Sequence, residues 1–338
     1  MSKENDKKDE NRLEFLKRVC KTPAQLVHGE SKPIPYIIKP YLVRSSFTLF
    51  TGKIGTMKSM FSMYLAGVAA EKGENVVYVD KENGIHQIES RAKLLSLCPD
   101  PAGNLFYWSD RPGLKEDEGP PNFGKLKVYE EIVRDLKQPL LLFDTLNRFG
   151  GSCDENSVSE TTRQLTTPLI TLCRSHGASL LAIHQAGKSN MDTGFTRSYR
   201  GSSEIGGACD QGFQIMDFKK LDPDLSSFTI ECFKSRWRSP IPARMCFDAG
   251  EFHELDKTVA DAKQLVAIKQ SIWKYLEKFP SGCRKQEIIQ GLKSKDNGNF
   301  GGNAVEYVLK ECGDNYWIKT QGPRNSNVYK YIPKIEKG

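Results

Sequence analysis

The sequence lacks the long apolar runs, the paired cysteines and the apolar leader that characterise three large classes of protein. No run approaches the ~18 apolar residues that cross a bilayer, so we expect no membrane segment and no membrane partner. The charged N-terminus has no apolar region behind it, and we therefore expect no secretory signal. The nine cysteines form no C-x-x-C pair, which argues against a disulfide framework or a zinc site and indicates reduced thiols in a cytoplasmic protein.

The chain has the composition of a globular protein, and its positive charge is unevenly distributed. Hydrophobic residues make up 38% and charged residues 27% of the 338 residues, which is enough chain for one large core and a small second domain. The net charge is +7, and residues 263–338 alone hold 14 Lys and Arg against 7 Asp and Glu. A basic C-terminal segment favours an anionic partner, most simply nucleic acid. A solvated lysine-rich surface is the alternative.

Apolar strands alternate with helices through the first two thirds of the chain. The strands are predicted at 47–50, 75–79, 105–108, 139–143 and 179–183, and the helices at 58–72, 85–97, 123–137 and 159–176. Strands that are almost wholly apolar and separated by helices predict a mainly parallel sheet with helices on both faces, which is an α/β fold. Later strands at 212–216, 227–233 and 243–247 are expected to belong to the same body.

Composition divides the chain into four predicted segments. Residues 1–21 are highly charged, as in disordered segments. Residues 22–256 hold the sheet domain behind a proline-rich, extended lead-in, and residues 257–262 form a polar linker. Residues 263–338 are predicted to form three helices followed by a β-hairpin, which is the order of elements in a small winged-helix domain.

A phosphate-binding loop follows the first apolar strand. Residues 52–59, Gly-Lys-Ile-Gly-Thr-Met-Lys-Ser, nearly match G-x-x-x-x-G-K-[ST], whose backbone amides hold phosphates at a helix N-terminus. Lys58 is expected to neutralise the β- and γ-phosphates of ATP, and Ser59 to ligate Mg²⁺. Met57 stands where the pattern has its last glycine. The predicted ATP-binding residues are Gly52, Lys53, Gly55, Thr56, Met57, Lys58, Ser59 and Met60.

Two further strands end in carboxylates at the same predicted sheet edge. Asp144 follows the strand 139–143 and is predicted to hold Mg²⁺ together with Ser59. Asp80 and Glu82 follow another strand, and either could be the general base that polarises the attacking water. We favour Glu82, because it lies beyond the strand and reaches further. A solvated pair of strand-end carboxylates is the alternative.

The strand at 179–183 is followed by two polar residues and a basic loop. His184 and Gln185 could sense the γ-phosphate, and we include His184 with Lys58, Glu82 and Asp144 among the catalytic residues. A lone histidine is more often structural. The loop that follows carries Lys188, Arg197 and Arg200, which suit contact with a DNA backbone or, equally, with another subunit.

Together these motifs resemble the RecA-fold P-loop ATPases of the RepA-type hexameric helicase family, over about residues 33–248. The resemblance rests on the P-loop, Glu82, Asp-Thr-Leu-Asn-Arg-Phe at 144–149, His-Gln-Ala-Gly-Lys at 184–188 and Arg-Gly-Ser-Ser at 200–203. Gln185 departs from the pattern, because relatives often carry a second histidine there, and Met57 also departs. The resemblance implies a RecA-like core, ATP hydrolysis with Mg²⁺, a homo-oligomer that is most simply a hexamer, and single-stranded DNA in the ring.

A second segment extends the resemblance toward the C-terminus. Phe-Lys-Ser-Arg-Trp-Arg at 233–238 resembles the K-x-R segment of DnaB-type and RepA-type ATPases. The resemblance implies that Lys234 and Arg236 reach into the nucleotide of the neighbouring subunit. The alternative is that both face solvent or pair locally. The tail resembles winged helices only in general, with Lys310 and Arg324 as predicted contacts to duplex DNA. Winged helices also bind proteins.

The sequence therefore predicts an ATP-hydrolysing motor that acts on DNA, a ring-forming helicase of the replicative type. One alternative is an ATP-switched factor for DNA binding, loading or recombination that does not unwind DNA. The other is a regulatory ATPase that acts on a protein partner. Stimulation of the ATPase by DNA separates this last class from the first two, and strand displacement separates the helicase from the switched factor.

Overall fold

The computed structural model describes residues 14–15, 17–20, 33–97, 103–110, 113–115, 118–154, 157–185, 203–237, 239–294, 298–313, 316–322 and 326–333. The chain divides into two units, Met1–Pro35 and Tyr36–Gly338. In the first unit, residues 14–15 and 17–19 are helical. Most of the segment 1–21 lies outside the described residues, so its predicted disorder stays a prediction.

A large sheet organises the second unit. The described strands of this unit, which include those of two smaller sheets, are β1 (Tyr36–Ile38), β2 (Leu42–Val43), β3 (Phe47–Gly52), β4 (Val76–Asp80), β5 (Leu105–Ser109), β6 (Leu140–Asp144), β7 (Ser179–Gln185), β8 (Gln211–Asp222), β9 (Leu225–Ser235), β10 (Ala243–Asp248), β11 (Glu251–Glu254), β12 (Cys283–Arg284), β13 (Trp317–Gln321) and β14 (Asn327–Tyr331). Nine of them form one sheet in the order β11-β10-β9-β8-β3-β7-β6-β4-β5. The neighbours from β8 to β5 are parallel, and β9, β10 and β11 continue the sheet as antiparallel strands. The predicted α/β fold with a mainly parallel sheet is confirmed.

Helices cover both faces of this sheet because its strands bury alternate side chains on opposite sides. The described helices are α1 (Lys58–Glu71), α2 (Ile85–Leu94), α3 (Leu126–Asp135), α4 (Val158–Thr161), α5 (Thr167–Arg174), α6 (Ser203–Ala208), α7 (Ala262–Glu277), α8 (Lys285–Leu292) and α9 (Gly302–Glu311). Along β6, Leu140 and Leu142 pack in the core beneath α1, whereas Leu141 and Phe143 pack in the core beneath α3 and α5. None of the described helices has the length and apolarity needed to cross a membrane.

The boundaries of most predicted elements agree with the structure to within a few residues, and the exceptions have physical causes. The helix predicted at 159–176 is interrupted by a π-helical turn, Thr162–Thr166, between α4 and α5. Pro168 follows this turn; it has no amide hydrogen for the α-helical bond to residue 164, and a change of hydrogen-bond register accommodates that loss. The β1–β2 hairpin and the strand β11 were not predicted.

The C-terminal elements form a small module against the antiparallel end of the sheet. Helices α7, α8 and α9 pack with a three-stranded sheet in the order β12-β14-β13. The same buried cluster includes Leu225 and Cys246 from the central sheet. Because Tyr36–Gly338 is one compact unit, the predicted division at 257–262 and the winged-helix assignment stay predictions.

A buried lysine joins this module to the central sheet. Lys269 on α7 is only 3% exposed; it forms an ion pair with Asp248 of β10 and lies 4.0 Å from Glu251 of β11. Its Nζ also donates to the hydroxyl of Tyr316 at 2.9 Å. Burial opposes its charge, but the hydrogen bonds to Asp248 and Tyr316 outweigh burial and raise the pKa of Lys269 above its ordinary value. We call Lys269, Asp248, Glu251 and Tyr316 the junction cluster.

Candidate functional site

The carboxyl ends of four parallel strands meet at one edge of the sheet and form a cleft there. Gly52, the last residue of β3, pairs in register with Gln185 at the end of β7, and Asp80 of β4 pairs with Asp144 of β6. The cleft has a volume of about 290 Å³. Its lining includes the loop before α1 together with Glu82, Asn83, Arg91, Thr145 and Gln185. The topology therefore brings the P-loop and both predicted carboxylate positions to one place.

The P-loop folds back on itself through one carbonyl. The oxygen of Lys53 accepts hydrogen bonds from Lys58 Nζ at 2.6 Å and from Thr56 Oγ1 at 2.8 Å. Burial lowers the pKa of Lys58, and the nearby carboxylates of Asp144 and Glu82 partly offset that effect. Six of the eight predicted ATP-binding residues line the cleft: Gly55, Thr56, Met57, Lys58, Ser59 and Met60.

Gly52 and Lys53 are not among the lining residues and shape the loop from its base. A Cβ atom added at Gly52 would lie 2.9 Å from Thr56 Oγ1 and 3.0 Å from the Ile215 carbonyl oxygen. Those approaches leave no room for a side chain, so the loop requires glycine at this position. Lys53 contributes its main-chain oxygen to the loop.

Met57 occupies a backbone conformation that ordinarily belongs to glycine. As the residue that caps α1, it has φ 63° and ψ 16°, in the left-handed region. Its carbonyl still accepts the helical hydrogen bond from the amide of Phe61 at 2.8 Å. The loop thus keeps the backbone that the missing glycine would adopt, and the methionine pays a conformational cost of about 1–2 kcal/mol.

Asp144 is buried at the end of β6 and is surrounded by neutral donors. The Tyr78 hydroxyl donates to its Oδ2 at 2.8 Å, and Asn83 Nδ2 lies 3.3 Å from the same oxygen. Burial, and then the carboxylate of Asp80, raise the pKa of Asp144 to about 6, against hydrogen bonds from Ser59 and Tyr78 that lower it. No residue that the structure describes forms an ion pair with this carboxylate.

The donor set around Asp144 fits a magnesium ion. Its Oδ1 is buried and has no hydrogen-bond partner within the described part of the chain. The Ser59 hydroxyl lies close enough to the same carboxylate to lower its pKa, so a hydroxyl and a carboxylate lie together at the P-loop. Mg²⁺ prefers hard oxygen ligands and usually takes one or two from the protein. These are the two ligands that the sequence predicted.

Asp80 and Glu82, the two candidates for the base, occupy different environments. Asp80 is buried, and its Oδ1 accepts the backbone amides of Glu82 at 2.8 Å and Asn83 at 2.9 Å. Its Oδ2 accepts from the Tyr107 hydroxyl and from Asn83 Nδ2 at 2.8 Å. Glu82 is exposed and lines the cleft. Asp80 therefore builds the turn that presents Glu82. We call Asp80, Asp144, Tyr78, Tyr107 and Asn83 the cleft cluster.

The end of β7 brings one of the two predicted γ-phosphate sensors to the cleft, and the helix α2 brings a residue that the sequence did not single out. His184 is 1% exposed and is not among the lining residues, whereas Gln185 lines the cleft. Successive side chains of a strand point to opposite faces, so only one of the two can face the P-loop. Arg91 of α2 also lines the cleft. An arginine on an amphipathic helix carries no sequence signal that separates it from a solvated one.

Lys234 and Arg236 lie at the opposite edge of the sheet from the P-loop of the same chain. Arg236 Nε is 3.0 Å from Asp210 Oδ1, and the other oxygen of Asp210 accepts from the amide of Phe47, the first residue of β3. Lys234 Nζ donates to the carbonyls of Gly206, at 3.0 Å, and Gly207. In the single chain both cations thus have local partners, as in the alternative interpretation. Arg236 is level with the start of β3, roughly 16 Å from its own P-loop, and Lys234 is level with Leu49, roughly 10 Å from it.

Most of the predicted DNA contacts lie outside the described residues. These are Lys188, Arg197, Arg200 and Arg324. Lys310 is described; it is exposed on α9, with its Nζ 3.1 Å from the carboxylate of Glu311. On the same helix Glu306 pairs with Lys285 at 2.6 Å. The exposed side of α9 is therefore of mixed charge.

Comparison with known proteins identifies the family of the nucleotide-binding part. The model of the family described as an AAA domain matches residues 10–191, which is more than half of the chain. The matched region contains the P-loop, Glu82, Asp144 and Gln185. No curated protein matches the chain.

Proposed function

Because this chain belongs to the AAA domain family, whose members are P-loop ATPases, we propose that it is an ATP-hydrolysing motor acting on DNA, and specifically a ring-forming helicase. The observation that carries the proposal is the sheet edge at which Lys58, Glu82 and the buried Asp144 meet, where Asp144 forms no ion pair within the described residues. This arrangement holds the groups that phosphoryl transfer to water requires. The RepA-type resemblance supports the further step to a DNA motor.

Within one subunit the P-loop amides and Lys58 bind the phosphates of ATP. Lys58, pre-formed over the loop, exchanges its bond to the Lys53 carbonyl for phosphate oxygens. Ser59 and Asp144 hold Mg²⁺, which when bound neutralises charge on the β- and γ-phosphates. Gln185, rather than His184, is placed to detect the γ-phosphate, because it lines the cleft.

Glu82 orients the attacking water and accepts its proton, and Asp80 serves only to hold the turn. The support is their difference in availability, since every oxygen of Asp80 already accepts hydrogen bonds, whereas Glu82 is exposed in the cleft. Glu82→Gln should therefore bind ATP normally and hydrolyse it about 10²–10⁴-fold more slowly. Nucleotide binding and single-turnover hydrolysis measure the two effects separately. Normal hydrolysis by Glu82→Gln would remove Glu82 from this role.

The trans arrangement is proposed for Lys234 and Arg236. Their position at the far edge excludes them from the nucleotide of their own subunit but suits a head-to-tail neighbour in a hexamer, where such a cation can contribute about 10³–10⁵ in rate. Arg236→Ala and Lys58→Ala proteins, each inactive alone, should regain partial ATPase activity when mixed. Absence of recovery in oligomers that demonstrably exchange subunits would reject the shared site.

The DNA-related part of the proposal rests on charge and resemblance. The basic segment 263–338, with Lys310, and the loop residues Lys188, Arg197 and Arg200 are the proposed contacts. The decisive measurement is the ATPase rate with and without single-stranded DNA, on protein of known oligomeric state. Stimulation together with displacement of a strand from a forked duplex supports the helicase. Stimulation without displacement supports the switched factor, and no stimulation supports the regulatory ATPase.

A further inference from the structure

One amide side chain touches both carboxylates of the cleft cluster. Asn83 Nδ2 donates to Asp80 Oδ2 at 2.8 Å and lies 3.3 Å from Asp144 Oδ2. Its own backbone amide donates to Asp80 Oδ1 at 2.9 Å. Asn83 also lines the cleft, directly after Glu82 in the chain. It is therefore the residue through which the turn that carries Glu82 contacts the carboxylate assigned to the metal.

These contacts leave a particular oxygen of Asp144 available. The two neutral donors, Tyr78 and Asn83, both approach Oδ2, while Oδ1 has no hydrogen-bond partner within the described residues. A carboxylate with one oxygen held by donors cannot rotate freely, so its other oxygen has a fixed direction. Asp80 differs, because both of its oxygens accept hydrogen bonds, Oδ1 from backbone amides of the turn and Oδ2 from Tyr107 and Asn83.

We propose that Asn83 is a positioning residue that couples the turn bearing Glu82 to the Mg²⁺ ligand Asp144, through its amide bridge between Asp80 and Asp144. The proposal rests on the proposed function, because it concerns the same nucleotide site. It assigns to Asn83 no contact with the reacting atoms. It predicts that one side chain affects both the contribution of Mg²⁺ to nucleotide binding and the rate of hydrolysis.

The chemistry of the amide explains why a neutral donor stands here. Asp80 and Asp144 are register neighbours on adjacent strands, so their carboxylates lie side by side without a cation from the described residues between them. A lysine bridging them would neutralise the site and compete with Mg²⁺, and an aspartate would add a third negative charge. An amide donates hydrogen bonds to both and leaves the negative charge available to a metal.

The test compares Asn83→Ala with Asn75→Ala. Asn75 is the same residue type immediately before β4, and its Nδ2 donates to the Leu136 carbonyl at 3.0 Å, away from the cleft. Binding of a fluorescent ADP analogue is measured in Mg²⁺ and in EDTA, together with kcat and KM for ATP. In Asn83→Ala, the tightening of binding by Mg²⁺ and kcat should each fall by about tenfold, as for other residues that orient metal ligands. Binding in EDTA should be nearly unchanged, whereas KM for ATP should rise to the extent that it follows the weaker binding in Mg²⁺, and Asn75→Ala should alter none of these quantities.

A second variant guards against misfolding of the first. Asn83→Ser keeps a hydroxyl that can still donate to Asp80 within the turn but is too short to reach Asp144. It should also lose most of the Mg²⁺ effect. Wild-type Mg²⁺ dependence and kcat in a folded Asn83→Ser or Asn83→Ala protein would overturn this inference and leave the proposed function standing. Wild-type protein that neither hydrolyses ATP nor responds to Mg²⁺ would instead reject the proposed function.

Discussion

Two groups of carboxylates, a buried pair at the cleft and a partly buried pair at the C-terminal junction, differ in how their negative charge is compensated. In the junction cluster, Asp248 and Glu251 share a buried lysine, so the negative charge is compensated within the chain. In the cleft cluster, Asp80 and Asp144 are held by tyrosine hydroxyls and an amide, with no ion pair among the described residues.

The difference separates a structural charge cluster from a functional one. Burying a carboxylate is costly unless a cation accompanies it, and the junction supplies that cation. The cleft retains buried carboxylates that form no ion pair within the described residues, although Lys58 lies near enough to interact with Asp144, and a bound cation would complete the compensation of their charge. We therefore expect substitutions in the two clusters to have opposite consequences, for activity in one and for stability in the other.

The largest effect is expected from the cation of the P-loop. Lys58→Ala should reduce ATP turnover by at least about 10³-fold, because the phosphates lose the lysine that stabilises their charge. The burial that lowers the pKa of Lys58 also makes this side chain unfavourable in the empty protein, so unfolding should not become easier. Steady-state ATPase assays and thermal melts measure both, with the exposed Lys93→Ala as the matched control. A Lys58→Ala protein that unfolded more easily than wild type would contradict the expectation that this substitution affects activity and not stability.

A substitution in the junction cluster should instead lower the stability of the fold. Lys269→Met keeps most of the side-chain volume but leaves the partly buried Asp248 without its partner, and we expect a loss of about 3 kcal/mol in the free energy of unfolding. The paired variant Lys269→Met with Asp248→Asn should recover part of that loss. Urea denaturation tests this, and Lys263→Met on the exposed side of α7 serves as the control. A change below about 1 kcal/mol would show that the ion pair is not what holds the module in place.

Replacing one carboxylate in each cluster by an amide should change the stability of the fold in opposite directions at high pH. The pKa of Asp144 is about 6 in the folded chain and near 3.8 when unfolded, so the fold loses stability as pH rises from about 4 to about 6. In EDTA at pH 8, Asp144→Asn should therefore be more stable than wild type by up to ~3 kcal/mol, and the gain should vanish near pH 4. Asp248→Asn should be less stable than wild type at pH 8. Equal signs for the two variants would refute the distinction between the clusters.

The smallest effect concerns the backbone at Met57. Alanine and glycine both remove the methionine side chain, but only glycine also relieves the left-handed conformation. Met57→Gly should therefore be more stable than Met57→Ala by about 1 kcal/mol, the reverse of the usual order near a helix. Denaturation of the two variants side by side measures the difference. An alanine variant as stable as the glycine variant would mean that the loop relaxes when the side chain is removed.

The sequence was sufficient to predict the elements that are long and strongly patterned. The apolar strands β3, β4, β6 and β7 and the helix α1 were predicted close to their observed bounds, because their patterns agree with the packing. The β1–β2 hairpin escaped prediction because it lies beside prolines that suggest an extended lead-in. The strand β11, Glu251–Glu254, is short and begins and ends with charge, so its pattern gives no apolar signal.

For the site, the sequence predicted which residues would meet but not which of two neighbours would face the cleft. Choosing between His184 and Gln185 needs the facing of a strand, which depends on packing against the rest of the sheet. The preference for Glu82 over Asp80 followed from reach alone, and the hydrogen bonds that occupy Asp80 could not be deduced beforehand. Arg91 is brought to the cleft only by the placement of α2.

The P-loop and the pair Lys234 and Arg236 lie at opposite edges of one sheet, and this has a consequence for stoichiometry. If a complete active site needs both edges, from different copies, then an isolated subunit has none and an open arc has one fewer than it has subunits. Only a closed ring gives every subunit a complete site. ATP turnover per subunit would then rise with the extent of assembly and level off at closure, which makes the hydrolysis rate a direct count of the subunit interfaces that have formed.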